Sequence, residues 1–270
     1  MRKLNLSILI FSTLILASSI CYSQNDTIFN QKDSNNKKQG YWKKRYPSGK
    51  IAYQGFFKDD RPRGTFKRYH EGGPIKVVLI YNNDGTRAKS TFYYLDGNIA
   101  AVGVFQDNQK DSIWKYFDKN RHLVYEESYS KGLLDGTLKS YYSDGTVFET
   151  LDWKQGKKHG NFVQYYNNGT FKAFAKFSNG VQDGKVVVYN FDGKIKVEGN
   201  YKGGLKDGAW KLYGDDGKLI SEIKYINGIA ENSDKLIEKE SEWLQSIIKN
   251  AGKIPEPTVE DFVQNSGIGY

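Results

Sequence analysis

Gly208-Ala209-Trp210-Lys211-Leu212-Tyr213-Gly214-Asp215-Asp216-Gly217 is the stretch that decides the fold. Trp210 to Tyr213 is aromatic and apolar, the composition of a strand. Gly214 to Gly217 is a turn, because Gly and Asp tolerate positive φ. Lys218 to Tyr225 then reads as the return strand, and Asn227-Gly228 as a second turn. One such unit is a β-hairpin of two short strands.

The same signature fills residues 40–230, most plainly at Gly160 to Gly169 and Gly184 to Gly193. Turn positions fall at Gly49, Gly72, Gly97, Asn120, Gly145, Gly169, Gly193 and Gly217, spaced 23, 25, 23, 25, 24, 24 and 24 residues. A short, near-constant period means small units that each touch only their neighbours. An isolated hairpin is marginal in water, so every unit must hide its aromatic face against the next. The expected fold is all-β: an elongated single-sheet array of about eight stacked β-hairpin repeats. Sixteen strands at ~4.8 Å spacing would make a ribbon about 75 Å long.

The glycines ahead of the aromatic position are Gly40, Gly64, Gly136, Gly160, Gly184 and Gly208. They are expected to let a neighbouring ring lie flat across the strand. Three units depart from the pattern: Ser90 replaces the aromatic, Ser112 replaces the leading glycine, and Gly72-Gly73-Pro74 should kink an edge.

The ends differ from the array. Arg2 and Lys3 precede an apolar run from Leu4 to Ala17, and small residues lead to a cleavage point between Ser23 and Gln24. Residues 1–23 are therefore read as a signal peptide, and the chain as exported to the periplasm, cell surface or medium. Cys21 raises lipid anchoring as an alternative, but Ile20 is larger than lipoprotein signals want before the cysteine. Cys21 is the sole cysteine, so the cleaved chain would hold no disulfide and no thiol nucleophile. Residues 24–39 are polar and read as a flexible leader. At the other end, Leu236, Ile237, Trp243, Leu244, Ile247 and Ile248 share one helical face. Asn232-Ser233 can cap that helix and Gly252 can stop it. Residues 231–270 are expected to form a short α-helical C-terminal cap, or a docking segment.

The run Gly40-Tyr41-Trp42-Lys43-Lys44-Arg45-Tyr46-Pro47-Ser48-Gly49, with Gly208 to Gly217, resembles the MORN repeat over about residues 40–230. It is closest to the bacterial variant carried by proteins labelled as antitoxins. The resemblance implies scaffolding and dimerisation modules, some of them linked to lipid headgroups. The antitoxin label implies blocking a toxin, which an exported chain would do only as immunity against a toxin acting in the envelope. Phe92-Tyr93-Tyr94-Leu95-Asp96-Gly97 is locally similar to choline-binding aromatic hairpins. The period here is longer, however, and the cage rings do not recur.

Little in the sequence points to chemistry. His70, His122 and His159 occupy unrelated positions in different units, with no metal-type partner at short spacing. Glu126 and Glu127 are strand neighbours and face opposite ways. Asp59-Asp60 and Asp215-Asp216 read as solvated turns. No nucleophile elbow, P-loop or dinucleotide fingerprint occurs. The chain is expected to be non-enzymatic and to need no cofactor or metal. Its formal charge of +9 is spread along the repeats, and it has no helix to enter a groove, so nucleic acid is not expected as a partner. The expected function is a protein-interaction or scaffold module of the cell envelope. A glycan, an anionic lipid headgroup and a second copy of the chain are the other partner classes. Candidate binding-face residues are Trp42, Tyr46, Tyr69, Tyr94, Tyr116, Tyr142, Tyr166, Trp210 and Tyr213.

Overall fold

The computed structural model describes residues 28–231, together with Gln245, Ile248 and Lys249. Within that range the chain is all-β. A stub, β1 (Gln31–Lys32), precedes the first hairpin, β2 (Lys38–Arg45) and β3 (Ile51–Lys58). Three hairpins follow: β4 (Arg61–Tyr69) with β5 (Ile75–Tyr81), β6 (Arg87–Tyr93) with β7 (Ile99–Gln106), and β8 (Gln109–Phe117) with β9 (Leu123–Ser130). The fifth unit starts in two pieces, β10 (Leu133–Leu134) and β11 (Gly136–Tyr141), and returns as β12 (Val147–Lys154). The last three are β13 (Lys157–Tyr165) with β14 (Phe171–Ser178), β15 (Val181–Tyr189) with β16 (Ile195–Lys202), and β17 (Leu205–Tyr213) with β18 (Leu219–Ile226), closed by β19 (Ile229–Ala230). Each strand pairs antiparallel with the next, so sixteen long strands form one open sheet.

The period is stricter than the sequence suggested. The residue that takes positive φ in the second unit is Gly73, at +110°, and in the fourth it is Arg121, at +70°. They replace Gly72 and Asn120 as the turn positions, and the spacing becomes 24 residues at every step. Each of these turns closes in one way: the N–H at the positive-φ residue donates to the carbonyl three residues back, as from Gly49 to Tyr46 and from Arg121 to Asp118. A fixed turn geometry leaves no freedom in strand length, which is why the register never drifts.

The opposite ends of the hairpins carry two-residue turns with both φ positive, as at Asp59-Asp60, Asp107-Asn108, Gln155-Gly156 and Asn227-Gly228. This mirror-type turn matches the right-handed twist of the strands. Its second residue also ties one unit to the one before. The amides of Gly132, Gly156, Gly180, Gly204 and Gly228 donate 2.8–2.9 Å bonds to the carbonyls of Lys110, Leu134, Lys158, Gln182 and Lys206.

The leading glycines do not have the role expected of them. The leading glycines have positive φ, and the strand register shifts beside them. They make bulges. The rings instead lie over Gly55, Gly103 and Gly199 on the preceding return strand. A Cβ at Gly103 would sit 2.2 Å from the Trp114 ring, and one at Gly199 2.3 Å from the Trp210 ring. Beside these bulges, three end rings meet the ring of the next unit. Phe57–Phe66, Phe105–Trp114 and Tyr201–Trp210 approach edge-to-face at 5.6, 4.9 and 5.2 Å, a favoured geometry for aromatic pairs.

The core is one face of the sheet. Phe66, Trp114, Phe162 and Trp210 are buried there, as the packing reading of the aromatics required. The end-ring position is aromatic in all eight units: Phe57, Tyr81, Phe105, Tyr129, Trp153, Phe177, Tyr201 and Tyr225. Lys38, Lys110, Lys158 and Lys206 set their ammonium groups 4.8–5.3 Å from the centroids of Phe57, Tyr129, Phe177 and Tyr225. The core has a break at its middle. Tyr125, Ser140, Glu149 and Gln164 stand in one row across β9, β11, β12 and β13. Glu149 is buried and accepts a 2.8 Å bond from Gln164 Nε2. This polar row divides the apolar residues into two clusters. At the same place β9 meets the next unit in two pieces, pairing with β10 at Ser130–Leu133 and Tyr129–Leu134 and with β11 at Glu126–Lys139 and Tyr125–Ser140.

Residues 28–39 do not behave as a leader. Asp33 Oδ1 accepts the amides of Asn35 and Lys37, which turns the chain and pairs β1 with β2. The carbonyl of Gln31 then accepts Trp42 Nε1 at 3.1 Å. The expected C-terminal cap lies outside the described residues apart from Gln245, Ile248 and Lys249, which are helical, with Ile248 buried in the second core cluster. The structure gives a cap no further support. The signal peptide also lies outside the described residues.

Two substitutions test this account. Arg121→Gly should raise stability by about 1 kcal/mol in urea denaturation, because a non-glycine residue in the left-handed region carries a cost of order 1–3 kcal/mol, offset in part by glycine entropy. Gly199→Ala should lower stability by about 1–3 kcal/mol through overpacking against Trp210. Combined with Trp210→Val it should cost less than the two singles added, since Ala175 already pairs with Val186 at the equivalent positions.

Candidate binding surface

The nine candidate aromatics fall on three different surfaces. Trp42, Tyr116 and Trp210 belong to the core face. Tyr116 and Trp210 are 1% and 2% exposed, so stacking between units removes both from any binding face. Tyr116 stacks on Tyr125 at 4.4 Å. Burial and the neighbouring Glu127 carboxylate drive its phenol pKa far up, and the hydroxyl accepts a 2.8 Å bond from Lys110.

Tyr46, Tyr94, Tyr142 and Tyr166 open the glycine turns. Their hydroxyls donate to the carbonyls of Tyr69, Phe117, Tyr165 and Tyr189 in the next unit at 2.7–2.9 Å. His70 takes the same place in the second unit, 3.4 Å from the Tyr93 carbonyl. Burial raises the pKa of Tyr94, Tyr142 and Tyr166, so these donors stay protonated. These side chains hold one turn to the next. His122 pairs with Asp118 at 3.0 Å, and His159 Nδ1 accepts the Asn179 amide.

Tyr69 and Tyr213 alone lie on the outer face. They belong to a row in which every member directly precedes the turn-opening position: Tyr69, Tyr93, Phe117, Tyr141, Tyr165, Tyr189 and Tyr213. Five of these escaped sequence reasoning, although an aligned 24-residue period would have found them. Several are fixed by polar partners. Gln54 donates to Tyr69 at 2.9 Å, Tyr141 donates to Glu126 at 3.1 Å, and Tyr213 donates to Glu198 at 2.8 Å. Burial and the bond to Glu126 push the Tyr141 phenol up to about 12.

On units six and seven the outer face becomes apolar. Val163, Phe174 and Val187 stand opposite one another on β13, β14 and β15. Beside them Phe171 lies 5.5 Å from the Tyr165 ring and 6.1 Å from the Tyr189 ring. Phe171 is 54% exposed. Charge borders the patch beside Val187, where Lys185 and Glu198 pair at 3.5 Å. On the other side Thr150 stands next to Val163, and Lys139 follows, opposite Glu126. An apolar centre with a charged rim is the anatomy of a protein interface.

A single open sheet of uniform, stacked hairpins defines a β-hairpin repeat protein. Residues 38–59, 134–155, 182–202 and 206–227 match the family described as MORN repeat variant. The chain is a MORN repeat protein, and the second, third, fourth and sixth units share the geometry of the four matched ones. MORN repeats are in general modules that bind proteins or lipids. No curated protein matches the chain. Among solved structures it is similar to TarM, at 12% identity over 44% of this chain and 19% of that one, with a TM-score of 0.24. It is also similar to the GtfA/B complex bound to UDP and GlcNAc (13% identity, 50% and 22% coverage, TM-score 0.17). A third is TcdB2-TccC3 (10% identity, 74% and 13% coverage, TM-score 0.19). The chain thus spans between 13% and 22% of the chains it matches.

The outer-face ion pair of Lys115 with Glu126, at 2.8 Å, yields a test. Burial alone would raise the Glu126 pKa, but hydrogen bonds from Lys115 and Tyr141 and the ammonium charge outweigh it and hold the carboxyl below its usual range. A carboxyl depressed by folding stabilises above its unfolded pKa, and that contribution is lost as pH falls through the folded value. Glu126→Gln should therefore flatten the loss of stability between about pH 5 and pH 3 in urea titrations.

Proposed function

We propose that this chain is an exported, non-enzymatic scaffold of the cell envelope that docks a partner protein on the outer face of units six and seven. The observation that carries this reading is the apolar patch of Val163, Tyr165, Phe171, Phe174 and Tyr189, bordered by the Lys185–Glu198 ion pair on one side and by Thr150 and Lys139 on the other. Its rings are already fixed by their neighbours, so little side-chain freedom is lost on binding. Arg2, Lys3 and the apolar run Leu4 to Ala17 support export. Immunity against an envelope-acting toxin is the special case in which the docked partner is that toxin.

Affinity capture from envelope extract should retain one stoichiometric protein. Phe171→Asp should weaken that binding at least tenfold, the loss expected of a central aromatic anchor. Ile80→Asp, on the exposed outer face of the second unit, should leave it unchanged. Retention that survives Phe171→Asp would remove the patch from the function. Mass spectrometry of the secreted chain should find Gln24 at its N-terminus.

A further inference from the structure

The outer face of the first two units carries a different surface. Residue 29 bridges to Tyr41 and folds the N-terminal segment against β2. Between them and β4 opens a cleft of about 860 Å³, within the size range of small-ligand sites. Three aromatic side chains form its platform. Phe29, Tyr41 and Phe56 are 41%, 53% and 37% exposed, and Tyr41 meets Phe56 edge-to-face at 5.3 Å.

The charged lining is of one sign. Lys43, Arg63 and Lys67 border the cleft, and no carboxylate does. Lys43 and Lys67 flank Gln54 on neighbouring strands, so their backbones stand about 10 Å apart, two strand spacings. Neither makes an ion pair among the described residues, and the Lys43 ammonium rests 4.2 Å over the Phe29 ring. Arg63 Nε and Nη1 are shielded from solvent and have no hydrogen-bond partner. Nη1 lies against Gly85 in the next turn, where hydrogen bonds from Thr86 and then the Arg63 charge lower the pKa of Asp84, so the cations that face the open cleft are Lys43 and Lys67.

We propose that this cleft binds an anionic glycan, one whose sugar rings lie on Tyr41 and Phe56 while its carboxylates meet Lys43 and Lys67. Two features select a polyuronide over a small anion. Cations two strands apart suit charges repeated along a chain better than a single phosphate. Exposed ring faces, negative at their centres, suit the polarised C–H bonds of a pyranose. The site is separate from the patch on units six and seven and stands whether or not that patch docks a protein.

Isothermal titration of the full chain with polygalacturonate, neutral pullulan and poly-glutamate tests the proposal. Polygalacturonate should bind, pullulan should not, and poly-glutamate should bind at least tenfold more weakly. Tyr41→Ala with Phe56→Ala should erase the preference for the uronide while leaving the weak poly-glutamate binding. Lys43→Gln with Lys67→Gln should weaken uronide binding at least tenfold and flatten its salt dependence. Lys211→Gln with Lys224→Gln, on the last unit, should change nothing. Equal affinity for poly-glutamate and polygalacturonate would show attraction by charge alone and overturn the proposal. So would no binding to the uronide, or an equal loss from the distant lysine pair. Thermal melts of the two double variants at the cleft, unchanged from the parent chain, assign any loss to the surface.

Discussion

Hairpins are tied to one another by backbone amides at one end and, in units one, three, five and six, by tyrosine hydroxyls at the other. At one end the turn amide reaches back 22 residues, as from Gly180 to Lys158. At the other the turn tyrosine reaches forward 23, as from Tyr142 to Tyr165. Both links need every unit to be the same length. A unit one residue longer would break them and would also turn its core side chains to the outer face. The constant period follows from this, and the mirror-type turns, the bulges and the aromatic spine all depend on it.

Within that frame the core can vary widely. The position facing the preceding return strand is Trp, Phe, Ser, Leu or Val in different units. Large rings sit over glycine, as Trp114 over Gly103, and small side chains pair with each other, as Val186 with Ala175. The pairing is not uniform, since Phe162 faces Leu151, and both are fully buried. Ser90, which looked like a defect, is buried and donates its hydroxyl to the Gly103 carbonyl at 2.9 Å.

The sequence displayed the architecture because its period is a one-dimensional signal. Trp210, Gly217 and Tyr213 recur in kind, and counting between them yields hairpins. Two things could not be counted. Gly72 and Gly73 are chemically identical, and only backbone geometry shows which one takes the left-handed conformation. Likewise Asn120 looks the better turn residue than Arg121, yet the fixed register puts the arginine there. The binding face was hidden for a related reason. Tyr165 and Tyr166 are adjacent and alike in sequence. One lies in the outer row while the other spends its hydroxyl on the next turn. Side-chain direction at a turn entry depends on the bulge beside it, which Tyr165 and Phe171 share.

The polar row at Ser140, Glu149 and Gln164 has a mechanical meaning. The hydrogen bonds of this sheet run along the ribbon, so tension between its ends loads the strand seams in series. In such a chain the weakest seam sets the strength of the whole. The apolar core offers least support at the seam between β9 and the β10–β11 strand, where it is interrupted. Under tension the ribbon would part there and leave two four-unit halves. It would act as a fuse between its two ends.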